Sequence, residues 1–196
     1  MMNGSLLLCS LVLASLPVAV SAQAPTPALP TAPAAAATPV PLPTPAPEVQ
    51  KLAFLVGDWL HEETFQPGPT SPGGSGKGRS KSVMALGDHF VYVIYTTNTP
   101  MGKLDARGFV GWDGEKKAYA MSWFDNMGLA SHYTGNFDAA GALVMNAEYV
   151  SQGTPVKERF TVAKQPDGKL LMTSAIAGPD GAFKTMMESV GTPAPK

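Results

Sequence analysis

His61 and Glu63 stand two residues apart in Trp59-Leu-His-Glu-Glu-Thr-Phe65. On an extended strand both therefore point to one face, together with Trp59 and Phe65. A base and a carboxylate sharing a face are raw material for acid–base chemistry, for a metal site, or for orienting a polar ligand. Arg107, His132 and Glu158 are further polar residues set in apolar alternation. A metal site from His61, Glu63 and His132 lacks support: there is no His-Glu-x-x-His motif, and the chain has three His and one Cys. No Gly-x-Ser-x-Gly elbow occurs. Gly73-Gly-Ser-Gly-Lys-Gly78 lacks the spacing and the strand-to-helix setting of a phosphate loop and reads as a plain loop. The motifs thus assign no catalytic residue, no metal and no cofactor.

What positions these side chains is a series of short β-rich runs. Asp113-Gly114, Asp138-Ala-Ala-Gly141, Pro166-Asp-Gly168 and Pro179-Asp-Gly181 each separate two such runs, and Asp125-Asn-Met-Gly128 makes another hairpin. About ten strands are expected, near 55–66, 76–86, 89–97, 104–112, 117–124, 129–137, 142–150, 155–164, 169–177 and 183–190. Helical periodicity is confined to one turn over Glu48–Val56. Strands joined by short hairpins imply an all-β, up-and-down antiparallel sheet, and closure into a barrel removes its edges. Pro67–Lys77 is the one long connection, a lid or a surface loop.

Hairpin pairing preserves the face, so the interior can be assigned. With Asp125–Gly128 and Asp138–Gly141 as turns, Trp123 opposes Ala130, Met121 opposes His132, and His132 opposes Ala147. One face then carries Tyr119, Met121, Trp123, His132, Leu143, Met145, Ala147 and Tyr149. The wetter face carries Ser122, Ser131, Asn146 and Glu148. Alternation adds Arg107 with Phe109 and Glu158 with Phe160 to the interior. Buried charge is costly unless paired or facing a solvated cavity, which leaves two readings open. Either Arg107 pairs with a Glu and the His residues satisfy buried hydrogen bonds, or these groups line a ligand cavity. In the second case Trp59, Tyr119, Met121, Trp123 and Tyr149 supply apolar wall, while His61, Glu63, Arg107 and His132 orient a polar or acidic group. A slip of one residue would turn any of these strands inside out.

The domain has appendages. Leu6–Val20 is uncharged, too short for the ~20 residues of a spanning helix, and suits the apolar core of a signal peptide. Val20-Ser-Ala22 supplies small residues for a cut after Ala22; an uncleaved anchor is the alternative. Cys9 lies inside the apolar run, so the mature chain would hold no Cys, in keeping with export to a periplasmic or secreted location. Gln23–Pro47 contains nine Pro among 25 residues and no charge or aromatic, which makes a semi-rigid spacer. Residues 48–191 form the barrel domain and 192–196 a tail. Lys and Arg total 14 against 15 Asp and Glu, a net charge of −1, so no nucleic-acid partner is expected. Nor is a membrane after cleavage.

Leu52-Ala-Phe-Leu-Val-Gly-Asp-Trp59, Gly108-Phe-Val-Gly-Trp-Asp113, Ser122-Trp-Phe-Asp-Asn-Met-Gly128 and Gly135-Asn-Phe-Asp138 occur in that order. This set resembles the bacterial domain-of-unknown-function family 1579, related to the calycins: lipocalins, fatty-acid-binding proteins and nitrobindin-like proteins. The resemblance spans roughly residues 50 to 190 and implies a closed barrel with a central cavity but no established activity. It gives Trp59, the Gly-x-Trp tryptophan, the role of closing one barrel end. The haem-binding His that nitrobindin-like barrels carry near the chain end has no counterpart, since no His follows His132. The expected function is binding of a small, partly apolar molecule inside the barrel. The alternatives are an enzyme using His61 or His132 with Glu63 orienting it, and an envelope interaction module exposing Trp112, Phe124 and Tyr133.

Overall fold

A computed structural model describes residues 41–68, 71–151 and 153–195; the segments expected to be a signal peptide and, up to residue 40, a spacer lie outside the described residues. Ten strands form one closed antiparallel barrel: β1 Gly57–Phe65, β2 Gly74–Ala85, β3 Phe90–Thr99, β4 Gly102–Asp113, β5 Ala118–Asp125, β6 Ala130–Phe137, β7 Leu143–Ser151, β8 Thr154–Lys164, β9 Leu170–Ala177 and β10 Phe183–Pro193. Each strand pairs with the next, and β10 closes on β1 from Phe65↔Met187 to Trp59↔Pro193. β10 thus runs two residues into the expected tail. β2 begins at Gly74, and its residues from Gly74 to Ser82 pair with the whole of β1, which shortens the expected loop Pro67–Lys77 to the stretch before Gly74.

A 3-10 helix, Pro47–Leu55, precedes β1. Val49, Leu52 and Leu55 recur every three residues, the period of a 3-10 turn, and so share its buried face. They seal one barrel end against Val91, Val110, Tyr119 and Leu143. Tyr119 Oη donates to the Glu48 carbonyl at 2.9 Å, and the Trp59 indole donates to the Leu55 carbonyl at 3.1 Å. Gly57, at φ +151°, gives the Trp59 ring its place, since a Cβ there would stand 3.2 Å from Nε1.

The register departs from expectation at both ends of β6. Asp125 N–H bonds the Leu129 carbonyl while Gly128 N–H bonds Asp125, so the turn is a five-residue unit with Gly128 at φ +85°. The same unit recurs at Asp138–Ala142. Each adds one residue through a glycine bulge. The observed pairs are Trp123↔Ser131, Met121↔Tyr133 and Gly135↔Met145. Two slips of one residue cancel on β7, so β5 and β7 face as expected while β6 between them is inverted. His132 therefore lies exposed on the outer wall, held by Ser122 at 3.0 Å, while Ser131 and Tyr133 face inward.

Arg107 is outside as well. The inward residues of β4 are Ala106, Gly108, Val110 and Trp112. Phe109, expected inside from alternation, instead stacks on Tyr92 outside the barrel, with ring centroids 4.7 Å apart. Trp112 and Tyr133, expected on the outer wall, are both inward: Trp112 meets the Tyr119 ring at 5.1 Å and Tyr133 is buried.

Candidate functional site

The barrel interior divides along its axis. Toward the 3-10 helix it is mainly apolar, with Val91, Leu143, Met145 and Val162 nearly inaccessible and Ser80 and Ser82 of β2 as buried exceptions. Toward the other end β1, β3 and each of β5 to β9 contribute a polar or aromatic group. Glu63 sits on β1 with His61 one inward position deeper, and Tyr95 and Thr97 follow on β3. Trp123 lies on β5, Ser131 and Tyr133 on β6, Tyr149 on β7, Glu158 on β8 and Ser174 on β9.

Glu63 is 3 % exposed and accepts hydrogen bonds from Tyr95 Oη and from Thr97 Oγ1, the latter at 2.6 Å. Burial pushes its carboxyl above the usual range despite these donors. Gly76 provides the space, since a Cβ there would lie 2.9 Å from Glu63 Oε2. His61, 2 % exposed, shares Nε2 with Ser80 Oγ at 2.8 Å and Nδ1 with Ser189 Oγ at 3.2 Å. Burial lowers its pKa to about 4, so the ring is neutral near pH 7. Gly191 is its floor: a Cβ there would meet the imidazole at 2.9 Å.

Glu158 accepts three hydrogen bonds, from Tyr133 Oη at 2.7 Å, Tyr149 Oη at 2.8 Å and Ser174 Oγ at 2.5 Å. Burial, and then the adjoining carboxylates, raise the phenols of Tyr95, Tyr133 and Tyr149 well above their ordinary value. Trp123 connects the two carboxylate clusters. Its ring lies 5.9 Å from that of Tyr95, and its backbone pairs with Ser131, two residues before Tyr133. It lies flat across β4, where a Cβ on Gly108 would stand 2.4 Å from the indole. Ser131 Oγ is buried and is the one such side-chain oxygen or nitrogen without a partner among the described residues.

Of the residues singled out from the sequence, His61, Glu63, Trp123, Tyr149 and Glu158 come together in this half, with Met121 at its border. Trp59 and Tyr119 instead hold the sealed end. Arg107 and His132 are on the outer wall, so no cation enters from them. His61 and Glu63 share a face but not a hydrogen bond, which leaves His61 without an orienting carboxylate. Tyr95, Thr97, Ser131, Tyr133 and Ser174 were not anticipated. A period of two in Tyr95-x-Thr97, beside Ser80-x-Ser82 on the neighbouring strand, is the trace they leave in the sequence.

The crystal structure of Rv2717c from M. tuberculosis is similar to this barrel, with a TM-score of 0.56 at 13 % identity over 77 % of this chain and 99 % of that one. At that identity the likeness is one of fold. No curated protein matches the chain. The model of a family described as protein of unknown function, DUF1579, matches residues 44–192, from the segment that leads into the 3-10 helix to the last strand. The chain belongs to that family.

Proposed function

We propose that the protein is exported and holds a small, partly apolar molecule in the half of the barrel away from the 3-10 helix. One observation carries the binding reading. Trp123, Tyr149, Phe160 and Ser174 face inward yet keep part of their surface accessible, whereas Leu52, Val91 and Met145 at the sealed end keep none. An inward aromatic wall reachable by solvent, with a few convergent polar groups, is the usual make-up of a small-molecule site. The turns at that end are also apolar at their tips, with Met101 53 %, Met127 67 % and Val150 66 % exposed. They offer an apolar molecule a favourable approach. Export rests on the uncharged Leu6–Val20 run. The envelope-module alternative loses Trp112 and Tyr133 to the interior, and the acid–base alternative loses the bond between His61 and Glu63.

The test is titration of residues 42–196 with the neutral fluorophore N-phenyl-1-naphthylamine. Saturable one-to-one enhancement is expected, weakened about tenfold by Trp123→Ala, a loss on the scale of one buried aromatic contact. Phe124→Ala and Arg107→Ala, on the outer wall beside it, should leave the affinity unchanged. An absence of saturable binding, or equal losses from inner and outer variants, refutes the reading.

A further inference from the structure

The interior holds two carboxylates and no cation. Every Lys and Arg among the described residues is exposed except Lys169, which is half-buried in the β8–β9 turn and paired with Asp167 at 2.8 Å. His61, the one inward imidazole, is occupied by Ser80 and Ser189. Hydrogen bonds from hydroxyls solvate a carboxylate but do not cancel its charge, and a buried charge without a counter-ion is costly.

The donors are also consumed. Tyr95, Thr97, Tyr133, Tyr149 and Ser174 each give their single hydroxyl proton to Glu63 or Glu158. What these groups then present to the lumen is oxygen lone pairs. An ionised carboxylate accepts about four hydrogen bonds, so Glu158 retains one site and Glu63 two. Ser131 Oγ, 1 % exposed and without a hydrogen bond of ordinary geometry, stands on the same wall beside the Tyr133 hydroxyl, the group placed to take its proton, and across from Trp123. This half of the interior is thus rich in acceptors, poor in donors, furnished with two carboxyl groups and no cation, and faced by aromatic rings. A cation bearing N–H donors complements all four properties, and the faces of Trp123 and the tyrosines attract it as well.

We infer that the polar end of the bound molecule is a protonated amine, seated between Glu158 and the Ser131 hydroxyl with its apolar body along Trp123. This rests on the interior-binding reading above and reverses the acidic ligand expected while Arg107 was placed inside.

Three probes with the same aromatic body separate the possibilities: 2-phenylethylamine, 2-phenylethanol and 3-phenylpropanoate, titrated calorimetrically at neutral pH. The amine should bind at least about tenfold more tightly than the alcohol, and the carboxylate most weakly. Glu158→Gln keeps an acceptor at the same place and should bring the amine down to the alcohol without moving the alcohol. Ser131→Ala should weaken the amine by roughly threefold. If Glu158→Gln does not fold, the wild-type order and Ser131→Ala decide the matter. Equal binding of amine and alcohol, or a preference for the carboxylate, overturns the inference. If N-phenyl-1-naphthylamine still binds in that event, interior binding stands and only the amine falls. If neither that fluorophore nor any of the three probes binds, both readings fall.

Discussion

Burying His61 makes the barrel sensitive to mild acid in a way that one substitution isolates. The imidazole keeps a pKa of about 4 in the folded chain against 6.5 when solvated. Between these values the unfolded chain holds a proton that the folded chain does not, so folding stability falls as pH falls through this window. From about pH 7 to about pH 5 the loss through this one ring amounts to about 2 kcal/mol, and it approaches about 3 kcal/mol once pH drops below the folded value. Glu63 acts in the opposite direction. Its folded pKa is raised by burial, so its penalty is present at high pH and relieved as pH falls through the folded value. Asp58, Asp113 and Asp167, all lowered by hydrogen bonds from neighbouring Lys or Arg or from the backbone, lose stability only at still lower pH. A difference measurement removes these contributions. In His61→Gln the amide can reach Ser80, and the group no longer titrates. Urea unfolding of both proteins at several pH values should show the variant less stable near neutrality, where it loses a fitted ring. The gap should close by about 2 kcal/mol on going to about pH 5. A gap that stays constant with pH would mean that the ring is solvated and the burial argument is wrong.

Two further substitutions test the frame that holds the site. At Gly135 a Cβ would stand 1.9 Å from the Val144 carbonyl oxygen, inside the β6–β7 ladder, whereas at Gly128 it would meet nothing within 4 Å. Gly135→Ala should therefore cost more than about 3 kcal/mol or abolish cooperative unfolding, while Gly128→Ala, strained only by its positive φ, should cost about 1 kcal/mol in thermal or urea melts. Leu52 is fully buried where the 3-10 helix seals the barrel, so Leu52→Ala should lower unfolding free energy by roughly 2–5 kcal/mol. A change under about 1 kcal/mol would mean the helix is not part of the cooperative core.

Strand count, order and closure were legible because hairpin turns punctuate this chain at regular intervals. The faces were less so. Asp125-Asn-Met-Gly128 and Asp138-Ala-Ala-Gly141 look like four-residue turns, and only the hydrogen bonds from Asp125 to Leu129 and from Asp138 to Ala142 reveal the bulge in each. A one-residue error inverts a strand completely, which is how His132 and Ser131 exchanged sides. Arg107 was misplaced for a different reason. Phe109 finds its partner in Tyr92 on the outside, and an apolar residue on a barrel wall need not face in. The glycines were a missed signal. Gly76, Gly108 and Gly191 make no turn; each clears space on the inner wall for Glu63, Trp123 or His61.

One pattern ties the sequence to the polarity of the interior. Strands that leave the helix end pass from apolar to polar inner residues: Val91 to Tyr95 and Thr97 on β3, Leu143 and Met145 to Tyr149 on β7. Strands that return toward it run the other way: Ser131 and Tyr133 to Phe137 on β6, Glu158 through Phe160 to Val162 on β8. In an up-and-down barrel every hairpin reverses direction, so a gradient that reverses between these four strands places their polar ends on one side, although β2 buries Ser80 and Ser82 toward the helix end. A filled barrel serving only as a scaffold would be most stable with apolar residues along its whole axis, because half-buried hydroxyls and carboxylates gain little over water. The reversing gradient is costly for stability, and it concentrates that cost at the end of the barrel that solvent reaches.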